Sequence, residues 1–189
     1  RGKALTEDSI YEAIDFRQTV ARLHAEFADQ DDWFLNIWQP DYVTDAKSGQ
    51  KVPFYEASPN QLAHDPSAWY LRSGEQWHGF GEMEDGYCML DPIKVTVTTP
   101  GMLDKGDYDQ WGIPAAILTA YLDNRGIVVE KTQDFSILFL FSLGVTKGKW
   151  GTLLNALFAF KEDYDSNTPL KRVLPAIYKD NEERYNGMG

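Results

Sequence analysis

Ile127-Val128-Val129-Glu130-Lys131, a Gln133-Asp134 turn, and then Phe135-Ser136-Ile137-Leu138-Phe139-Leu140-Phe141-Ser142-Leu143 form the stretch that decides the fold. β-Branched residues dominate the first part, and the second is apolar at nearly every position. This predicts a strand over 127–131, then a strand over 135–143 buried on both faces. Upstream, Lys94-Val95-Thr96-Val97-Thr98 alternates and puts Val95 and Val97 on one face. Pro92 would remove a ladder donor, so the regular strand begins after it. Helical signals surround these strands. Gly112-Ile113-Pro114 opens a helix with Ile117, Leu118, Tyr121 and Leu122 inward, and Asn124-Arg125-Gly126 closes it. A longer helix over 149–164 buries Leu153, Leu154, Leu157, Phe158 and Phe160. Pro169 starts a short one with Leu170, Val173, Leu174 and Ile177 inward. The economical arrangement is an α/β (α+β) fold: a small mixed sheet with helices packed on one face.

An amphipathic helix and a long loop precede that unit. Ser9 and Glu12 have the spacing of a capping box, and Ala13, Phe16, Val20, Leu23 and Phe27 recur at three- and four-residue steps. Asp15, Arg17, Gln18, Arg22 and Glu26 mark the opposite, polar face, and the helix ends near 29–32. A stripe of this kind on a lone helix needs a partner surface. Residues 33–38 read as a strand that Pro40 ends. From 41 to 67 the chain is polar and punctuated by Gly49, Pro53, Pro59 and Pro66, which predicts a long loop with a functional or interface role, or an exposed excursion. Trp69-Tyr70-Leu71 reads as a short strand.

Composition narrows the function. The 189 residues are 43% hydrophobic and 25% charged, an ordinary globular mix. A net charge of −11 argues against nucleic acid, whose phosphates require clustered Lys and Arg, and against an anionic membrane. No stretch approaches the ~20 apolar residues of a membrane span. The single Cys88 forms no internal disulfide, and no Cys/His cluster has zinc spacing, which points to the cytoplasm and to no metal. The start lacks an initiator Met and an apolar signal segment, and the end stops in small residues. Both ends read as those of a piece of a longer chain.

Catalytic signatures are absent. His78-Gly79-Phe80-Gly81 has the wrong spacing for a dinucleotide loop, and there is no nucleophile elbow. Cys88 reads as a small buried hydrophobe. His24 falls on the polar side of the first helix and His64 in the long loop. His78, next to Trp77, has the setting of an aromatic pocket. Glu130 is the unusual carboxylate: an outward strand residue, a partner for Lys131 or Arg125, or a recessed anion for a cationic group. The residues alone leave open a recognition or assembly part of a larger enzyme and a stand-alone, non-catalytic ligand-binding or regulatory module.

Several strings go further. Trp77-His78-Gly79-Phe80, Met89-Leu90-Asp91-Pro92-Ile93-Lys94-Val95-Thr96, Thr99-Pro100-Gly101, Gly112-Ile113-Pro114-Ala115, Gly126 to Thr132, Leu138 to Ser142, Leu174-Pro175 and Tyr178 resemble the bacterial ornithine/lysine/arginine decarboxylases. Asp32-Trp33-Phe34 and Trp38-Gln39-Pro40-Asp41 join the likeness, which runs over the whole chain except the 41–67 loop. These are pyridoxal-phosphate enzymes of the aspartate-aminotransferase fold type. The resemblance implies a C-terminal portion. Residues 1–68 would be a linker helix, strand and long loop from the end of the large domain, and 69–189 a C-terminal α/β domain. The family's Schiff-base lysine lies in a Ser-x-His-Lys-type motif that is missing here. The chain is therefore expected to hold no catalytic or cofactor residue and to be inactive alone. By resemblance Glu130 binds the distal cation of the substrate, with Trp77 and His78 as weaker substrate-binding candidates. The stretch Thr146 to Leu153 looks closer to the arginine and lysine branches, and arginine is favoured. The implied partners are the rest of the decarboxylase chain, a second copy in a homodimer or higher oligomer, and a basic amino acid.

Overall fold

The computed structural model describes residues 2–103, 107–142 and 145–185, with side chains from residue 7 onward. The expected loops at 104–109 and 144–148 and the C-terminal tail fall partly or wholly outside these residues. The elements are α1 (Gly2–Ala28), β1 (Asn36–Ile37), β2 (Tyr42–Thr44), β3 (Lys51–Pro53), α2 (Pro59–His64), β4 (Lys94–Thr98), α3 (Ala115–Asp123), β5 (Lys131–Thr132), β6 (Ser136–Leu140), α4 (Lys147–Asp165), α5 (Leu170–Val173), α6 (Pro175–Asp180) and α7 (Glu182–Tyr185). One-turn 3₁₀ helices at Phe54–Glu56 and Pro66–Trp69 flank α2.

The main sheet has the order β1-β4-β6-β5, and every pairing is antiparallel, which corrects the expected mixed sheet: no helical crossover joins hydrogen-bonded neighbours in parallel. Val95 faces Phe139 and Val97 faces Ile137 across the β4–β6 ladder. All four are buried against α1, α3 and α4. The helices therefore cover one face of the sheet, as the alternation of β4 predicts. On the other face Leu140 is exposed, so β6 is not buried on both sides. Its polar-face neighbours, Thr96 and Thr98 on β4, explain why: that face carries too little apolar surface to attract a second layer. The expected 127–131 strand shrinks to β5. Ile127 N–H turns back to the Leu122 carbonyl, and only Glu130 N–H reaches Leu138 O before the ladder starts.

The region 41–67 is not a loop but a small folded layer. The β2–β3 hairpin pairs Val43 with Val52, and Ser58 caps α2. Val43, Phe54, Leu62, Trp69 and Ile14 of α1 make a second core. Its apolar residues stand too far apart in sequence to show a period, and so the reading missed it. Trp69 closes a 3₁₀ turn, and Tyr70 makes only an isolated bridge to Met89. The expected 33–38 strand keeps two residues.

α1 starts well before Ser9, so no capping box forms there, and Glu12 instead accepts from Trp150 Nε1 at 2.6 Å. Its apolar stripe finds its partner within this chain: Ala13, Phe16 and Val20 share one core with Phe34, Val95, Leu118, Ile137 and Leu157. That core crosses position 68/69, with α1 and β1 on one side of it in sequence and β4, α3, β6 and α4 on the other. α1 is thus sandwiched between two cores. Arg17 and Gln18, expected on a solvated face, are buried for that reason. Among the residues expected inward, Ile117 of α3, Phe158 of α4 and Ile177 of α6 are exposed.

Candidate functional site

Glu130 stands at the end of an irregular edge. Gly126, at φ +73°, takes the left-handed turn that ends α3 and sends the chain into 127–130. Ile127 and Val129 pack on the main core, whereas Val128 is 83% exposed. A cleft of about 350 Å³ lies between α3 and this edge, lined by Ala116, Thr119, Ala120, Val128, Val129 and Thr132. Thr119 and Thr132 share a 2.7 Å hydrogen bond that ties α3 to β5. The Glu130 side chain is exposed next to this cleft in sequence and is not among its lining residues. Among the described residues its carboxylate has no ion-pair partner, so neither Lys131 nor Arg125 neutralises it. Arg125 lies over the Tyr121 ring instead and is 3.7 Å from Asp163.

Trp77 and His78 form a separate knot. Both are buried. His78 Nδ1 accepts from Phe80 N–H at 3.0 Å, and Nε2 lies 2.9 Å from the Arg72 carbonyl, which requires a proton on Nε2. Both ring nitrogens are thus engaged by backbone. Trp77 Nε1 donates to Glu75, and its ring meets Trp38 edge-on. Trp77 also lines a cleft of about 80 Å³ with Trp38, Gln39, Thr98 and Met102. The structure does not bring this knot and Glu130 to one cavity among those lined by described residues.

Two charged centres escaped the sequence reading. Arg17 is fully buried, donates to the carbonyls of Pro92 (3.2 Å) and Lys94 (2.7 Å), and lies over Trp69. Burial pushes its pKa down to about 9, with the charge of Asp91 opposing. Lys161 is buried on α4 between Asp32, at 2.9 Å, and Asp165, at 2.6 Å, with Phe27 and Trp33 beneath its ammonium. Burial pulls its pKa down, but the hydrogen bonds to Asp165 and Asp32 outweigh this and leave it raised. The available signal was a lysine inside an apolar stripe with Asp165 four residues on. Tyr121 donates to Asp163 at 2.5 Å, and burial followed by that bond pushes its pKa up.

This set contains no metal centre: no group of three or more His, Cys, Asp or Glu among the described residues is placed to hold an ion. It does not fit pyridoxal phosphate either. A Schiff base forms on a neutral amine, and the one buried lysine among the described residues, Lys161, is held as an ammonium by two carboxylates. No described helix is long and apolar enough to cross a membrane.

Comparison with known proteins supplies the context. The family model for the Orn/Lys/Arg decarboxylase major domain matches residues 1–149. The biodegradative arginine decarboxylase of Escherichia coli is 46% identical over the whole chain, which covers 25% of that enzyme. A lysine decarboxylase of Pseudomonas aeruginosa is 43% identical, again over the whole chain and 23% of the enzyme. An inducible ornithine decarboxylase of E. coli is 37% identical over 77% of the chain and 20% of the enzyme. The solved lysine decarboxylase A of P. aeruginosa superposes with a TM-score of 0.81 at 43% identity, covering 100% of this chain and 23% of that one. The chain spans about a quarter of the length of the curated relatives it matches. The match to the major domain corrects the expected placement in a C-terminal portion. With a family model over more than half its length and relatives of this identity, the chain belongs to the Orn/Lys/Arg decarboxylase family.

Proposed function

We propose that this chain is a segment of a pyridoxal-phosphate-dependent, cytoplasmic decarboxylase of basic amino acids, with arginine the favoured substrate and lysine and ornithine after it. The observation that carries the reading is the 46% identity to an arginine decarboxylase along the whole chain. The ornithine relative, by contrast, matches over 147 residues at 37%. The cofactor is held by the part of the parent enzyme outside this chain, and the isolated chain has no turnover. Within the parent, residues 1–68 supply α1, which closes the core, and the edge strand β1, and 69–189 supply the other three strands of the sheet. The segment contributes to contacts between subunits of a homodimer or larger assembly.

Glu130 is the substrate-tail residue in this reading. Its carboxylate is uncompensated by any neighbouring cation among the described residues, which suits a group that awaits the charge of a substrate. A guanidinium or ammonium held there gains a charge-assisted hydrogen bond. Trp77 and His78 have a lesser part, shaping the wall near Trp38 and Thr98. The covered stripe of α1 is also what a self-contained module would show, but identity along the entire chain to much longer enzymes weighs more.

The test is CO₂ release by the full-length parent with arginine, lysine and ornithine in turn. Arginine should give the highest kcat/KM. A preference for ornithine would reverse the substrate order, and no release from any of the three would remove the reading. The isolated chain, mixed with pyridoxal phosphate and arginine, should release none.

A further inference from the structure

The position of Glu130 is set through its backbone. Its side chain is exposed and, among the described residues, has no ion-pair partner to fix where it points. The backbone is held at two points. Ile127 N–H donates to the Leu122 carbonyl, and Glu130 N–H donates to the Leu138 carbonyl. Beyond these, β5 pairs only Lys131 with Leu138 and Thr132 with Ile137, at the outer edge of the sheet. Beside it lies the cleft of about 350 Å³, which Ala116 and Ala120 of α3 are too small to fill. Val128 and Thr132, two residues to either side of Glu130, both line that cleft.

One bond crosses the cleft. The Thr119 and Thr132 hydroxyls lie 2.7 Å apart, and no other side-chain hydrogen bond joins α3 to 127–132 among the described residues. Thr119 is a fixed point, because Leu118, Tyr121 and Leu122 beside it anchor α3 in the main core. Ile127 and Val129 hold one side of the edge to that core, but on the cleft side buried apolar contacts are few, and the hydroxyl pair is what resists a shift. We propose that Thr119 is a positioning residue: through Thr132 it holds the edge carrying Glu130 at a set spacing from α3, and so sets where the carboxylate meets the distal cation of the substrate. The proposal rests on Glu130 as the substrate-tail residue. A charge-assisted hydrogen bond forms at about 2.7–2.9 Å, so a displacement of about 1 Å removes most of it.

The experiment is a double-mutant cycle in the full-length parent, read by kcat/KM for arginine. Thr119→Val keeps the shape and removes the hydroxyl; it should lower kcat/KM roughly three- to tenfold, through KM more than through kcat. Thr132→Val should give the same loss, and the two together no more than either alone, since they remove one bond. Thr119→Ser, which keeps the hydroxyl, should retain most of the activity. In a Glu130→Gln background Thr119→Val should change kcat/KM by less than about twofold, because no charged group is left to misplace. A loss of equal size in both Glu130 backgrounds, which is also what damaged folding would give, would overturn the proposal and leave Glu130 as the tail residue. So would no loss with either valine variant, or a serine variant as poor as the valine one. Near-normal kcat/KM for Glu130→Gln alone would instead overturn the reading of Glu130 and this proposal with it.

Discussion

Replacing Lys161 with Met tests the charged latch between α4 and the segment after α1. The ammonium makes two charge-assisted hydrogen bonds, to Asp32 at 2.9 Å and Asp165 at 2.6 Å, while its stem lies on Phe27 and Trp33. Two such bonds in a dry site would be worth about 1.5–3 kcal/mol each. Both carboxylates are about 40% exposed, at 43% and 42%, so solvent screens the pair and roughly halves that sum. Met recovers the stem's apolar packing but leaves the two carboxylates facing each other. The expected net loss is about 2 kcal/mol, or roughly 4–8 °C in Tm for a chain of this size. The pH dependence has a fixed sign. The hydrogen bond from Lys161, followed by the bond from Trp33 N–H, holds the Asp32 carboxyl below its ordinary value of 3.8. The stability it contributes is present above that value and is lost as pH falls through the lower, folded value. Lys161, raised above 10.5, contributes stability below 10.5 that is lost only as pH rises through its folded value. Thermal melts of both proteins at pH 7 and about pH 3 read this directly. The deficit of Lys161→Met should shrink at the lower pH, because the contribution of Asp32 declines once pH falls below 3.8. Equal Tm values at pH 7, or a deficit that ignores pH, would refute the reasoning.

The remaining predictions concern other elements. In the parent enzyme, Glu130→Gln should lower kcat/KM about ten- to a hundredfold, equivalent to roughly 1.5–3 kcal/mol of transition-state binding, with the cofactor absorbance unchanged; near-normal kcat/KM would return Glu130 to the surface. Gly101→Ala should cost roughly 2–4 kcal/mol in chemical denaturation. Its φ is +111°, and a Cβ there would stand 2.7 Å from the Phe135 ring and 2.8 Å from Gly112 Cα. Gly126→Ala is the control, at φ +73° with nothing within 4 Å of the new Cβ, and should cost only about 1–2 kcal/mol. Arg17→Met should cost about 2–4 kcal/mol and raise hydrogen exchange around 91–94, because the Pro92 and Lys94 carbonyls lose their donor. Gln18→Leu should raise exchange around 54–57 and leave 91–94 unchanged.

The parts of the fold that sequence reading recovers are those with a repeating period. β4 is legible because Val95 and Val97 alternate with threonines, and α3 because Pro114 and Gly126 punctuate it. α4 is legible because Leu153, Leu157 and Phe160 return to one face. The 41–67 layer has no period: Val43, Phe54, Leu62 and Trp69 come from a hairpin, a 3₁₀ turn, a helix and another turn, and meet only in three dimensions. The edge 127–130 shows the opposite failure. Its β-branched run carries strong strand propensity, yet Ile127 is committed to closing α3, so of the predicted residues only Lys131 enters the ladder, with Glu130 N–H bonded to Leu138 O just before it. Glu130 was singled out by resemblance, and spacing alone could not have separated it from other exposed carboxylates. Lys161 was legible only in part, since Asp165 stands four residues on but its other carboxylate partner, Asp32, is 129 positions away.

α1 shows why reading a polar face as a solvated face failed here. From 13 to 21 only Asp15 and Thr19 escape burial, because Phe16 and Val20 face one core while Ile14 faces the other. A helix packed on two sides has to satisfy its polar groups inside the protein. The groups nearby that need donors are backbone carbonyls of irregular segments that no ladder serves. Arg17 takes those of Pro92 and Lys94, where the chain enters β4, and Gln18 takes those of Phe54 and Ala57, where it leaves the hairpin. Glu12 performs the reverse service, accepting from the Trp150 indole at the start of α4. Three polar residues within seven positions thus connect α1 to both cores and to the segments that lack regular structure. The same arrangement accounts for a guanidinium buried without a carboxylate in ion-pair contact: it is held by carbonyl dipoles and by the Trp69 ring, with the charge of Asp91 acting from further off and Nη1 left without a partner, and a long donor-only side chain is what reaching two carbonyls across a core requires.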